Sequence, residues 1–217
     1  MTHRLGTLAG SLLVLLTPLC GCTAGAQPTP AAASTSPTGS LPTSAAELEQ
    51  LLVVDVPSGL PRVPDDALDP PAGEKTIDDV ARYGDDAAQQ RAVLTDYGYQ
   101  RGWERFWRSG DALTSVFLDE FAGPDGARSY AEDLARNDAE YYGGELDRSP
   151  GDLPGDCVLM ARDEPAPQQG FAGPSAFAWC AEGAFTVSVA AVSTTPAAAR
   201  AELTAVTTAQ LDRLPSA

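Results

Sequence analysis

Two stretches of this chain repeat one order of elements, and that order leaves few folds open. Tyr97–Trp107 and Ala112–Phe121 read as extended segments, and Pro124–Asn137 reads as a helix. In that helix Ala127, Tyr130, Ala131, Leu134 and Ala135 follow the spacing of one buried face, with Glu132, Asp133 and Arg136 on the other. The C-terminal stretch follows the same plan. Ala176–Cys180 and Phe185–Val192 read as strands joined through Glu182-Gly183, and Thr195 caps a helix with Pro196 at its first position. That helix runs to about Leu214, with Ala199, Leu203, Val206 and Leu214 as its buried stripe. At an offset of 72 residues Trp107 matches Trp179, Ala112 matches Ala184, Thr114 matches Thr186 and Pro124 matches Pro196; Ala127-Arg128 matches Ala199-Arg200. The pattern predicts an α+β domain: an antiparallel sheet with helices packed mainly on one face, built from two ββα units. An internal duplication and chance matching in an Ala-rich chain both explain the offset.

Upstream of these units the punctuation is local. Glu47–Val54 is apolar and predicts a short helix running into a strand, stopped by Pro57-Ser58-Gly59. Pro57–Gly73 is rich in Pro and Asp and predicts a loop. Thr76-Ile77-Asp78-Asp79 has the form of a capping box. Val80, Tyr83, Ala87 and Leu94 then fall near one helical face, with a break at Gly84.

The N-terminus carries an address. His3 and Arg4 precede an uncharged segment, Leu5–Leu19, that is too short and interrupted for a comfortable membrane span. Leu19-Cys20-Gly21-Cys22 follows and resembles a bacterial lipoprotein signal, with Leu and Gly placed at -3 and -1 from Cys22. The resemblance covers about the first 22 residues. It departs from the common pattern at Cys20, where a small or β-branched residue is usual. It implies cleavage before Cys22, diacylglycerol on the Cys22 thiol and further palmitate-type N-acylation. Ala24-Gly25-Ala26 offers the competing reading, ordinary secretion with a start at Gln27. Residues 23–46 hold no charge and are almost entirely Ala, Thr, Ser, Pro and Gly, which predicts a disordered tether averaging roughly 25–30 Å in span. The expected organisation is a signal peptide at 1–21, a lipidated Cys22 with its tether through 46, and one α+β extracytoplasmic domain over 47–217.

Composition bears mainly on chemistry. The chain has 217 residues, 30 acidic against 14 basic, and a net charge of -16. Such a balance argues against nucleic-acid partners, which are gripped by clustered Lys and Arg. His3 is the only histidine and leaves with the signal peptide. Without imidazole, the mature domain lacks the parts of a Ser-His-Asp or Cys-His site and of a His-ligated zinc centre. Lys75 is the only lysine and lies in no S-x-x-K, and no G-x-S-x-G, phosphate loop or dinucleotide fingerprint is present. The sequence therefore points to no cofactor and no metal. Asp65-Asp66-Asp69 and Asp85-Asp86 do not match a calcium loop. Carboxylate chemistry remains open, with Asp119, Glu120, Glu132 and Asp133 as available acids.

Cys157 and Cys180 remain as an even pair outside the cytoplasm and predict a disulfide, with Trp179 packed near it. Closing that loop stabilises by about 3–4 kcal/mol in the chain-entropy picture. One stretch suggests a binding surface. If Tyr97–Trp107 is extended, Tyr97, Tyr99, Arg101, Trp103, Arg105 and Trp107 share a face. Of these, Tyr99, Arg101, Trp103 and Arg105 would suit a glycan or anionic ligand, since aromatics stack on sugars and Arg offers planar paired donors. The competing reading makes the aromatics core and lets the arginines reach past them.

With 13 Arg to one Lys, abundant Ala, and a Ser/Thr/Pro tether behind the Cys22 motif, the chain resembles actinobacterial cell-envelope lipoproteins of unknown role. Its alternating ββα segments are similar in style to lipoproteins with a Mog1/PsbP-like fold, although no specific motif carries that likeness. The expected function is a lipid-anchored binding or interaction domain on the outer face of the cell membrane. Its partners would be the membrane through the anchor, and a cell-wall glycan or another envelope protein. The alternatives are a carboxylate-dependent glycan-active enzyme and a structural or assembly accessory of the envelope. Mass spectrometry of the mature N-terminus is expected to show acylated Cys22; an unmodified start at Gln27 would remove the anchor.

Overall fold

Residues 40–215 are described by a computed structural model. The expected signal peptide, lipidated Cys22 and most of the tether lie outside the described residues.

Among the described residues the chain forms five α-helices and six strands. Helix α1 (Ala45–Gln50) is capped by the Ser44 side chain. Strand β1 (Gly73–Lys75) leads into helix α2 (Ile77–Ala81), which opens on Thr76 and Asp79 in a complete capping box. Helix α3 (Ala87–Tyr97) is capped by Asp86 and ends on Gly98 in the left-handed region. Strands β2 (Tyr99–Ser109) and β3 (Ala112–Phe121) form a hairpin, and helix α4 (Pro124–Tyr142) follows. Strands β4 (Asp156–Arg162), β5 (Ser175–Glu182) and β6 (Phe185–Val192) precede helix α5 (Pro196–Leu211), which is capped by Thr195. The six strands make one antiparallel sheet in the order β1-β2-β3-β6-β5-β4. The fold is α+β with an antiparallel sheet, as the element pattern predicts.

The helices do not gather on one face. Side chains alternate along a strand, and here both sets are covered. Val116 and Leu118 of β3, Ala176, Ala178 and Cys180 of β5, and Val187, Val189 and Ala191 of β6 pack beneath Ala199, Leu203 and Val206 of α5, together with Leu48 of α1. The intervening Phe177, Trp179 and Val192 pack with Ala131 and Ala135 of α4, and Phe121 packs with Ala127 and Tyr130. The expectation of helices mainly on one face is thereby corrected. Strands β5 and β6 are buried at nearly every position, as strands covered on both sides are.

The same alternation corrects the repeat. Thr114 hydrogen-bonds Glu202 of α5, whereas its offset mate Thr186 donates to the Ala127 carbonyl of α4 at 2.7 Å. Trp107 and Trp179 likewise lie on opposite faces. A rotation relating adjacent antiparallel strands turns about an axis through the sheet and keeps each residue on its face. The two ββα units share an order of elements, but their helices lie on opposite faces of the sheet.

Cys157 and Cys180 are directly opposed in β4 and β5 and form a disulfide on the α5 face. Trp179, one residue away, points to the α4 face, so the expected packing of Trp179 near the bridge is corrected by the pleat itself. Strands β1 and β4 were not anticipated. The predicted strand at the end of Glu47–Val54 is absent, because that backbone is satisfied by side chains. Val53 N–H donates to the buried Gln210 amide at 3.0 Å, the Val53 carbonyl accepts from Arg105 at 2.8 Å, and Gln210 also donates to the Leu51 carbonyl at 2.9 Å.

Candidate functional site

The α4 face of the sheet is not fully closed. Helix α4 lies over β5 and β6, while α2 and the following Tyr83 sit near β2. Between them opens a cleft of about 480 Å³, within the range of small-molecule sites. Its floor comes from alternate residues of the central strands, including Phe106, Ser115, Phe117, Asp119, Ser188 and Ala190.

One side of the cleft is aromatic. Tyr142 of α4 stacks on Phe177 of β5, with centroids 5.2 Å apart and planes 12° apart, and Phe177 stacks on Trp179 at 6.0 Å and 10°. Phe171 meets Tyr142 and Phe177 edge-on. Across the floor, Phe106 and Phe117 form an edge-to-face pair at 5.5 Å. Stacked rings present broad π surface with negative faces.

Two carboxyl groups line this apolar space. Asp119 of β3 is 7% exposed. Burial pushes its carboxyl up to about 7, with the nearby Glu104 charge adding to the rise and the Tyr99 hydroxyl partly offsetting it. Opposite Asp119 in β2 stands Gly102, where a Cβ would collide with both the Asp119 carboxyl and the Tyr99 hydroxyl. The absence of a side chain there is what gives Asp119 its room. Asp138 of α4 is pushed up to about 6 by burial, offset in part by the Trp179 indole N–H that donates to it at 3.2 Å. Ser188 Oγ, also buried at the cleft, has no protein hydrogen-bond partner. Beside the cleft, Lys75 Nζ and Glu104 form a buried ion pair at 3.3 Å, and the Tyr83 hydroxyl donates to Glu104 at 2.7 Å.

The aromatic–arginine stripe is divided. A register shift between Tyr99 and Arg101 turns Tyr99 to the α4 face, where it packs edge-on against Phe121. Tyr97 ends α3. Arg101, Trp103, Arg105 and Trp107 stay on the α5 face, but Arg105 is buried, held by the Val53 carbonyl and by Glu49 at 2.9 Å. Trp107 is buried and donates to the Val54 carbonyl. Arg101 faces Glu120 at 3.1 Å, and Trp103 is half-buried against the core. Of the four acids considered for catalysis, only Asp119 reaches the cleft. Glu120 points to the opposite face, Glu132 pairs with Arg148, and Asp133 meets Tyr97 and Arg136. Asp65 pairs with Arg62, and Asp86 caps α3. Among the described residues no group of three or more acids, His or Cys is arranged to hold a metal ion.

Asp138 and the aromatic wall were missed from sequence. The signal was there: Tyr130, Leu134, Asp138 and Tyr142 recur every four residues along α4, so Asp138 interrupts an otherwise aromatic and aliphatic stripe.

No protein-family model and no curated protein matches the sequence. Among solved structures, the extracellular domain of PknH from Mycobacterium tuberculosis is similar, with a TM-score of 0.46 and 12% identity over 81% of this chain and 98% of that chain. No helix among the described residues is long and apolar enough to cross a membrane.

The raised Asp119 carboxyl has a definite consequence for stability. Folded Asp119 keeps its proton to about pH 7, while an unfolded aspartate releases it near the ordinary value of 3.8. The folded state binds more protons in that window, so stability falls as pH rises through it, by up to an order of 4 kcal/mol. Burial raises Glu104 and Asp138 in the same direction. Urea unfolding is expected to show Asp119→Asn more stable than wild type at pH 8 and little changed near pH 4. An equal gap at both would contradict the desolvated carboxyl.

Proposed function

We propose that this chain is a lipid-anchored, extracytoplasmic binding domain that takes a small amphipathic molecule in the cleft between α4 and the sheet. The observation that carries the reading is an aromatic cavity lined by two desolvated carboxyls with no cation beside them and by one buried hydroxyl, Ser188 Oγ, with no hydrogen-bond partner. A core at ordinary packing does not retain such groups in an open apolar space, because each costs about 1–3 kcal/mol or more. The Cys22 motif and the charge-free tether support the anchor. The Cys157–Cys180 disulfide supports an oxidising compartment. In the cell the molecule would come from the envelope: a wall fragment, a lipid-derived compound or a group displayed by an envelope protein. The aromatic–arginine stripe is not the surface proposed here, since Arg105 and Trp107 serve packing.

A second reading has a specific observation behind it. Asp119 and Asp138 are two desolvated acids lining one cleft, and two acids are the residue types a carboxylate-dependent glycan-active enzyme uses. Such an enzyme works with one acid protonated and its mate ionised. Here burial moves both in the same direction, which favours binding over turnover.

Indole is a suitable neutral probe for the aromatic wall. Calorimetry on the full chain in phosphatidylcholine nanodiscs is expected to show saturable binding of one indole per chain. Ala190→Trp, which fills the floor, should abolish it. Indole binding that is absent, or indifferent to Ala190→Trp, would sink the cleft as a binding site. Release of sugar from a glycan substrate that stops in both Asp119→Asn and Asp138→Asn would favour the enzyme.

A further inference from the structure

The buried acids near the cleft are not treated alike. On adjacent strands β2 and β3, Glu104, Asp119 and Glu120 are all buried. The fold supplies a cation to two of them. Lys75, the only lysine, pairs with Glu104 and also donates to the Pro71 carbonyl. Arg101 faces Glu120 on the other side of the sheet. Among the described residues no Lys or Arg pairs with Asp119 or Asp138, and none lines the cleft. The only ionisable residues that do line it are these two acids and three tyrosines.

We infer that the cleft takes an organic cation, an amine or quaternary ammonium on an aromatic or apolar body, its charge meeting Asp119 and Asp138. The inference rests on the reading of this cleft as a binding site and adds the chemical class of ligand. The body would lie against the Tyr142–Phe177–Trp179 stack, where ring faces attract positive charge as well as apolar surface. Ser188 Oγ, buried and unpartnered, is a further polar contact for an N–H donor. An anion would meet two carboxylates and no base. A neutral ligand would leave both acids as costly as they are in the free protein.

The pH dependence follows from the groups that face each acid. Asp119 is faced by Glu104 and Tyr99 of β2, by Lys75 of β1 behind Glu104, and by Tyr130 of α4. Tyr83, after α2, is also within its field. Asp138 is faced by Trp179 of β5 and by Tyr130 and Tyr142 of its own helix. Both acids hold their protons more tightly than usual, Asp119 to about 7 and Asp138 to about 6. A cation prefers the ionised forms. Its affinity therefore rises with pH from about 5 to about 8 and then levels.

Three indoles that differ in charge test this: tryptamine, tryptophol and indole-3-propionate. Each is titrated into the full chain in phosphatidylcholine nanodiscs, with Ala190→Trp as the reference for lipid partitioning. Tryptamine is expected to bind at least about tenfold tighter than the other two at pH 8, and to lose that margin near pH 5. Asp119→Asn and Asp138→Asn should each shrink the margin, with cooperative urea unfolding of each variant showing that it still folds. Indole binding without a tryptamine preference overturns the cation and leaves the cleft reading standing, as does a preference for the propionate. A tryptamine preference that survives both Asn variants also overturns it. If no probe shows binding sensitive to Ala190→Trp, both readings fall.

Discussion

The pleat of the central strands governs this molecule, because both faces of the sheet are covered. Along β3, β5 and β6 each residue is committed to α5 or to α4, and its neighbour is committed to the other. Cys180 joins its disulfide under α5 while Trp179 stacks in the cleft under α4. Glu120 meets Arg101 on one side while Asp119 lines the cleft on the other. Burial on both sides makes the register strict: a slip of one residue would exchange these sets, placing Asp119 and Ser188 beneath α5 and Val187 and Leu118 in the cleft.

That commitment has different consequences on the two faces. Beneath α5 the core is aliphatic, with the disulfide tying β4 to β5, and the buried Arg105 and Gln210 side chains satisfy the irregular backbone of residues 51–53. Beneath α4 the filling is aromatic and incomplete. Helix α4 buries Ala127, Ala131 and Ala135 closely against the strands, while Leu134, Asp138 and Tyr142 border open space. Small residues on one part of a helix bring it down onto the sheet; larger ones further along hold a gap. The gap then carries acids that the fold leaves uncompensated, at a cost in stability that a bound cation would relieve.

Much of the architecture was legible in local sequence. Thr76 and Asp79 form the expected capping box, Thr195 and Pro196 open α5, and the Ala127–Tyr130–Ala131–Ala135 and Ala199–Leu203–Val206 stripes are buried. The disposition of the helices was not, although the apolar run Ala176–Ala181 in β5 is what a strand buried on both faces looks like. The offset of 72 misled because matching residue types carry no information about which face they occupy. The aromatic–arginine stripe assumed unbroken alternation, and a single register shift after Tyr99 moved that ring to the opposite face. Of the site itself, Asp119 could be named as an acid but not placed. Its isolation depends on Gly102 across the ladder and on Arg101 and Lys75 being engaged elsewhere, all of which are matters of register and tertiary packing.

A carbon-13 titration of the Asp119 carboxyl bears most directly on the claim that the cleft holds a desolvated, uncompensated acid. Its midpoint in the free protein is expected near 7 and should fall when tryptamine is added. A midpoint near the ordinary aspartate value of 3.8 in the free protein, unmoved by tryptamine, would contradict it.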